Sequence, residues 1–151
     1  MCPDTKALLA YVKLELFFAA ICYYIKINPK PITAMAKKIA EQLIDTLVKS
    51  GVERIYAVTG DSLNEVNEAV RKNDQIKWIH VRHEETGAYA AAAEAQLTGR
   101  PGCCAGSSGP GHVHLINGLY DAHRSGAPVI AIASTSPAGE FGTEYFQETN
   151  T

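Results

Sequence analysis

From Ala36 onward the chain switches repeatedly between two hydrophobic periods. Ala36, Ile39, Ala40, Leu43, Ile44, Leu47 and Val48 recur at three- and four-residue steps. That spacing predicts a helix with one apolar face, and Gly51 stands where a C-terminal cap belongs. Arg54 to Val58 reads as a short buried strand, with Thr59-Gly60-Asp61 as the turn after it. Ser62 and Glu65 have capping-box spacing ahead of Val66, Ala69 and Val70, which predicts a second helix. Ile76 to Val81 is a second strand, and Glu84 to Leu97 an alanine-rich helix closed by Gly99. Gly102 to Gly106 is a third strand, followed by a glycine-rich turn. A single helix is then expected through Val113, Ile116, Leu119 and Tyr120, ended by Gly126 and Pro128. Val129 to Ala133 is the fourth strand. Ser134 to Thr151 has no clear period, as functional loops and segments with missing context do not.

Strands that alternate with helices, the last of them continuously apolar, predict an α/β fold. Its sheet is mainly parallel with helices on both faces. Ligands of such sheets bind beyond the carboxyl ends of the strands, near a topological switch point. Residues 59–62, 82–85, 106–112 and the stretch from 134 are therefore the ones to inspect.

Composition narrows this picture. The chain has 151 residues, 46% of them from the set AVILMFWYC and 20% charged, which suits one folded domain rather than a disordered segment. A net charge of -2 gives no bulk attraction for nucleic acid. The apolar run Leu16 to Ile25 is ten residues long, short of the ~18 that a membrane helix needs. Residues 1–34 carry four Lys and two acids, so +2, against ten basic and fourteen acidic residues, so -4, in 35–151. Asn28-Pro29-Lys30-Pro31 interrupts any helix there. Residues 1–34 are expected to be an extension unrelated to the fold of residues 35–151. The four cysteines lack CxxC spacing, and Cys103 and Cys104 should point to opposite faces of a strand. Reduced structural thiols in a cytoplasmic protein are expected.

Three segments carry candidate chemistry. Arg82-His83-Glu84-Glu85 ends a strand and opens the alanine-rich helix, so its acids complement the helix dipole. A carboxyl held there among small neighbours such as Ala88, Ala91 and Ala92 can also share a proton with a ligand nitrogen. Gly106-Ser107-Ser108-Gly109-Pro110-Gly111 links a strand to a helix and lets the backbone approach a ligand closely. It is neither of the usual nucleotide-phosphate loops, and no GxSxG supports Ser107 or Ser108 as nucleophile. His112 and His114 are two residues apart, no HExxH occurs, and no metal site is expected from the histidines. Glu144-Tyr145-Phe146-Gln147-Glu148 lies in the aperiodic tail and is mute alone.

In order along the chain, WIHVRHEETGAYAAAAEAQLTG, CCAGSSGPG, HLINGLYDAHRSGAPVIAIA and EYFQE resemble the pyrimidine-binding domain of thiamine-diphosphate enzymes. Within them the likeness is greatest to pyruvate oxidase and quinone-dependent pyruvate dehydrogenase, with acetolactate synthase the next relative. The resemblance covers residues 35–151. It implies that Glu84, the acid directly after the histidine, is catalytic: it hydrogen-bonds a ring nitrogen of the cofactor's aminopyrimidine and so promotes loss of the thiazolium C2 proton. It implies that Thr59, Gly60, Gly109, Pro110 and Gly111 border the pyrimidine, and that Phe146 and Gln147 line the substrate side. His112 departs from the Asn or Gly usual after the GPG, and Ser134 to Phe141 differs from pyruvate oxidases. The GDG…N motif, through which the family holds Mg²⁺ and the diphosphate, does not occur in this sequence.

The resemblance therefore implies a truncated pyrimidine domain, with Mg²⁺ and FAD expected only in a full-length protein. Such a protein would act on a 2-oxo acid, pyruvate above all. The chain alone is expected to be inactive and to work as a homo-oligomer or with a diphosphate-domain partner. An acetolactate synthase-like fragment, a separate pyrimidine-domain subunit of a split decarboxylase and a non-catalytic truncated interaction module are the alternatives. Neither nucleic acid nor a membrane span is expected.

Overall fold

The computed structural model describes residues 36–149, so the extension expected at residues 1–34 lies outside the described residues. Helix α1 (Ile39–Lys49) forms on the predicted face, with Ile44 and Leu47 buried. Its end is closed by two backbone bonds, Gly51 N–H to the Val48 carbonyl and Val52 N–H to the Leu47 carbonyl, both 3.0 Å. This turn needs a left-handed residue, and Gly51 supplies it at φ 92°. Strand β1 (Arg54–Ala57) follows and alternates half-buried and buried positions.

The second helix departs from expectation. Asp61–Leu63 forms a 3-10 turn, and α2 spans Asn64–Arg71 with Leu63 at its cap and no side-chain cap bond. Ser62 and Glu65 thus make no capping box. The Ser62 hydroxyl is drawn away to the ends of two other strands, where it accepts from Ser108 N–H at 3.0 Å and meets Ser134 Oγ at 2.7 Å. Strand β2 (Lys77–His80), helix α3 (Glu84–Thr98) and strand β3 (Gly102–Gly106) then run as read, α3 ending on left-handed Gly99. The single helix expected after the glycine-rich turn is two: α4 (Pro110–Val113) and α5 (Ile116–Ser125). The break at His114 and Leu115 lets Leu115 turn fully into the core. Strand β4 (Val129–Ala133) completes the sheet, and Ala138–Glu140 adds a 3-10 turn in the tail.

The sheet is wholly parallel, in the order β2-β1-β3-β4. Alternation sorts the side chains. Ile55, Ala57, Cys103 and Ala105, with Ile130 and Ile132, face α1 and α2. Tyr56, Cys104 and Val129 face Ala88 and Ala91 of α3 and Leu115. Fully buried Ile44, Ile55 and Leu63 each contribute about 1.5–3 kcal/mol by leaving water. Cover is complete on β3 and alternates along β1; on the outer strand β4, Ala131 and Ala133 stay exposed. Cys103 and Cys104 do point to opposite faces, and burial pushes both thiols up to about 12. Among the described residues no helix is long and apolar enough to cross a membrane. The chain leaves β1 toward β2 on one side and β3 toward β4 on the other, so the switch point lies between the carboxyl ends of β1 and β3.

Candidate functional site

Two turns meet at that switch point with almost no room between them. A Cβ on Gly60, after β1, would run into the Ser107 Cβ and lie 2.7 Å from its Oγ. A Cβ on Gly111 would lie 2.6 Å from the same Oγ and 3.5 Å from Glu84 Oε1. The Ser107 side chain is therefore a wedge that fits only because both neighbours are glycine. Behind it, Gly106 leaves no space for a side chain, since a Cβ there would meet the Gly111 carbonyl oxygen at 2.5 Å. The 106–111 segment is folded tightly on itself, and its bare backbone borders Glu84.

Glu84 stands in the first turn of α3 and is 9% exposed. His83 caps this helix, its Nδ1 accepting from Glu85 N–H at 3.3 Å. Small residues hold α3 close to its neighbours. A Cβ on Gly87 would touch the Tyr56 carbonyl at 3.0 Å, one on Gly118 of α5 would meet the Ala88 Cβ at 2.5 Å, and one on Gly102 would enter the Ala91 carbonyl. An ion pair from Arg54 to Glu94 ties the far half of the helix to β1. His114 Nδ1–H donates to Glu84 Oε2 at 3.0 Å, and its ring stacks on His83 with centroids 4.5 Å apart. Glu84 thus has one oxygen engaged by an imidazole and the other turned toward Gly111.

A second cluster forms where the tail folds over the ends of β1, β3 and β4. The Ser134 hydroxyl donates to the Gly106 carbonyl at 3.1 Å, so Ser62 must be the donor in its 2.7 Å bond to Ser134. His112, 6% exposed, bridges the Ser134 carbonyl at 2.7 Å and the Thr149 hydroxyl at 2.8 Å. Because a carbonyl only accepts, Nδ1 carries a proton, and in the neutral ring Nε2 then accepts from the threonine hydroxyl. Glu148 gathers the turn by accepting from Gly142 N–H at 2.6 Å and Tyr145 N–H at 3.1 Å. Glu144 and Gln147 are left at φ 61° and 60°, a conformation that costs a non-glycine residue about 1–3 kcal/mol and so must be held by its surroundings. Gln147 is held: its side chain packs over left-handed Gly109, and its Oε1 accepts from Ser108 Oγ at 3.2 Å. Phe146, 74% exposed, lines an open pocket with Ser62, Ser108, Ser136, Pro137 and Tyr145.

The predicted residues therefore fall into three places. Gly60 and Gly111 meet at Ser107, and Gly111 borders Glu84. Gly109, Phe146 and Gln147 meet at the tail, and exposed Pro110 opens α4 between the two. Thr59 turns elsewhere, into a groove with Asn67, Trp78 and Ile79. Sequence reading missed His114 as the partner of Glu84, Ser107 as the side chain between Gly60 and Gly111, and His112 as a clasp on the tail. No spacing signals these contacts, because His114 reaches Glu84 only once α3 and α5 have packed.

Residues 37–151 match the family described as the thiamine pyrophosphate enzyme N-terminal TPP binding domain. The chain belongs to this family. A putative thiamine pyrophosphate-containing protein of Bacillus subtilis is 53% identical over 116 residues, which are 76% of this chain and 20% of that protein. Pyruvate oxidase of Lactiplantibacillus plantarum is 46% identical over 114 residues, 72% of this chain and 18% of that enzyme. An acetolactate synthase of Brassica napus is 37% identical over 113 residues, 75% of this chain and 17% of that enzyme. The chain thus spans about a fifth of the length of these relatives. The parallel sheet with helices on both sides is the α/β architecture expected of this thiamine pyrophosphate-binding domain.

Proposed function

We propose that residues 35–151 supply the pyrimidine half of a thiamine-diphosphate site in an enzyme that acts on a 2-oxo acid of the pyruvate class. Glu84 is the carboxyl that engages the aminopyrimidine. One observation carries the reading: a buried carboxylate at the switch point borders a backbone from which side chains are absent. The fit to a flat ring is physical, since a Cβ at Gly111 would stand in contact with Oε1, at 3.5 Å, and glycine leaves that side of the carboxylate without a side chain. When bound, thiamine diphosphate supplies the electron sink for decarboxylation.

The chain's own residues divide the remaining work. His114 occupies Oε2 of Glu84, so Oε1 is the oxygen offered to a ring nitrogen. Gly60 and Gly111 keep Ser107 in place beside that approach. Gly109 and Ser108 hold Gln147, and with Phe146 these form the substrate side. The whole protein would use Mg²⁺ and FAD on other segments and assemble as a homo-oligomer or with a diphosphate-binding partner. Residues 1–34 would stay outside this unit.

A graft tests the reading. Residues 37–149 replace the matched segment of the Lactiplantibacillus plantarum pyruvate oxidase, and exchange of the cofactor C2 proton into deuterated water is followed by NMR. The graft should exchange rapidly, and Glu84→Gln should slow exchange by about a hundredfold or more, the scale of a lost acid–base partner. A folded graft whose exchange is indifferent to Glu84→Gln would remove the assignment.

A further inference from the structure

We propose that His83, Glu84 and His114 form a binding site for a divalent transition-metal ion of the zinc class. Each residue offers one ligating atom, and these atoms lie within 4.8 Å of one another. The three come from two places in the chain, the head of α3 and the break between α4 and α5, so packing of α3 against α5 creates the cluster. The buried member is the carboxylate; the two imidazoles stand at the surface with 47% and 43% of their side chains exposed.

Donor chemistry selects the ion. Two imidazole nitrogens and one carboxylate oxygen are a borderline set that suits Zn²⁺, Ni²⁺ or Cu²⁺. Mg²⁺ and Ca²⁺ call for mostly oxygen ligands and are not expected to bind. Zinc bonds of about 2.1 Å in a tetrahedral site put ligand atoms about 3.4 Å apart. Glu84 Oε2 and His114 Nδ1 are already at 3.0 Å, and the ion would take the place of the proton between them, which leaves Nδ1 for Nε2 or for solvent. The stacked rings, now inclined by 26°, must rotate about χ2 to converge. Their exposure leaves room for that rotation.

Charge favours a cation as well. The end of α3 contributes roughly half a positive charge, but Glu84 and Glu85 together bring two carboxylates to the same turn. Glu85 Oε2 lies 3.9 Å from His83 Nδ1, and Asn117 Nδ2–H donates to Glu85 Oε1 at 3.3 Å and steadies it at the rim. Glu85 can thus serve as a fourth ligand or leave that position to water. This inference is independent of the proposed role of Glu84 toward the pyrimidine.

The test uses the full chain, stripped with EDTA and free of any polyhistidine tag. Zn²⁺ is titrated by calorimetry at pH 7, and Co²⁺ is added in parallel to read the visible d–d bands of a tetrahedral nitrogen–oxygen site. One equivalent should bind. His83→Asn keeps a capping side chain but removes the imidazole, and His114→Ala removes the other; each should weaken binding by at least about tenfold, the loss seen even for outer-shell partners of a metal. His123→Ala, at the far end of α5, should leave it unchanged. Circular dichroism checks the fold of every variant, and His83→Asn alone carries the test if His114→Ala unfolds. No saturable binding by the parent chain, or equal binding by the folded His83→Asn variant, overturns the proposal.

Discussion

Gly60→Ala isolates the contact on which the switch point depends. Gly60 has φ -145° and ψ 158°, an extended conformation that alanine adopts freely. At a position with space, such a change would stabilise by about 0.4–1 kcal/mol through the unfolded chain. Here the new methyl group would overlap the Ser107 Cβ and stand 2.7 Å from its Oγ. Unstrained carbon contacts lie at about 3.5–4.0 Å, so one turn must shift by close to an ångström. Overpacking of that kind costs about 1–3 kcal/mol, and the net expectation is a loss of about 1–2 kcal/mol. The sign thus separates lack of space from backbone freedom. Ser107→Gly removes the wedge at a cost of about 0.5–1 kcal/mol in added chain freedom. In that background Gly60→Ala should become neutral or stabilising, giving a coupling of about 1–3 kcal/mol. Urea denaturation followed by circular dichroism, with all four chains compared at constant m, reads the cycle. A Gly60→Ala chain as stable as its parent, or an equal loss in both backgrounds, would refute the wedge.

Other outcomes follow from the tail and the core. His112→Ala removes two buried hydrogen bonds, each worth about 1 kcal/mol; stability should fall by about 2–3 kcal/mol, and limited proteolysis should cut within 142–149 faster than in the parent. Glu148→Gln weakens the clip on Gly142 and Tyr145; faster cleavage at the same turn with the urea midpoint almost unmoved is the expected pair of readings. Cys103 and Cys104, pushed up from 9.0 to about 12 by burial, should resist iodoacetamide at pH 8 until the chain is unfolded, as peptide mapping would detect. The raised values also fix a pH trend. The unfolded chain sheds these protons near pH 9 while the native one keeps them. Their contribution is therefore complete below pH 9 and lost as pH rises toward 12, and Cys104→Ala should flatten that decline.

What the sequence made legible is what repeats locally. All four strands declare themselves through short apolar runs, and α3 through alanine, its left-handed Gly99 stop and the acids of its first turn. Alternation alone placed Cys103 and Cys104 on opposite faces. The failures share one cause, a long-range partner that outweighs a local rule. Ser62 has capping spacing, yet Ser108 and Ser134 claim its hydroxyl. A helix drawn through Val113 and Leu119 ignores Leu115, whose burial between α3 and the sheet pulls the chain out of register. The tail has no period because its order comes from Glu148, His112 and Gln147, each bonded to groups distant in sequence or to bare backbone. Of the candidate site, Glu84 and the glycine loop could be read in the chain. The approach of His114 to Glu84 could not, since 30 positions separate them and only the packing of two helices joins them.

The alanine and glycine seam along α3 has a further consequence. Contacts such as Ala91 with Gly102 and Ala88 with Gly118 involve groups with no χ angles. A core of leucine can absorb a small displacement by changing rotamers; this seam has no such slack. Any slide or roll of α3 must be matched by movement of β3 and α5 themselves, so the helix is indexed to the sheet by backbone alone. The position of Glu84 is then as sharply defined as the sheet, and that accuracy is achieved by leaving side chains out.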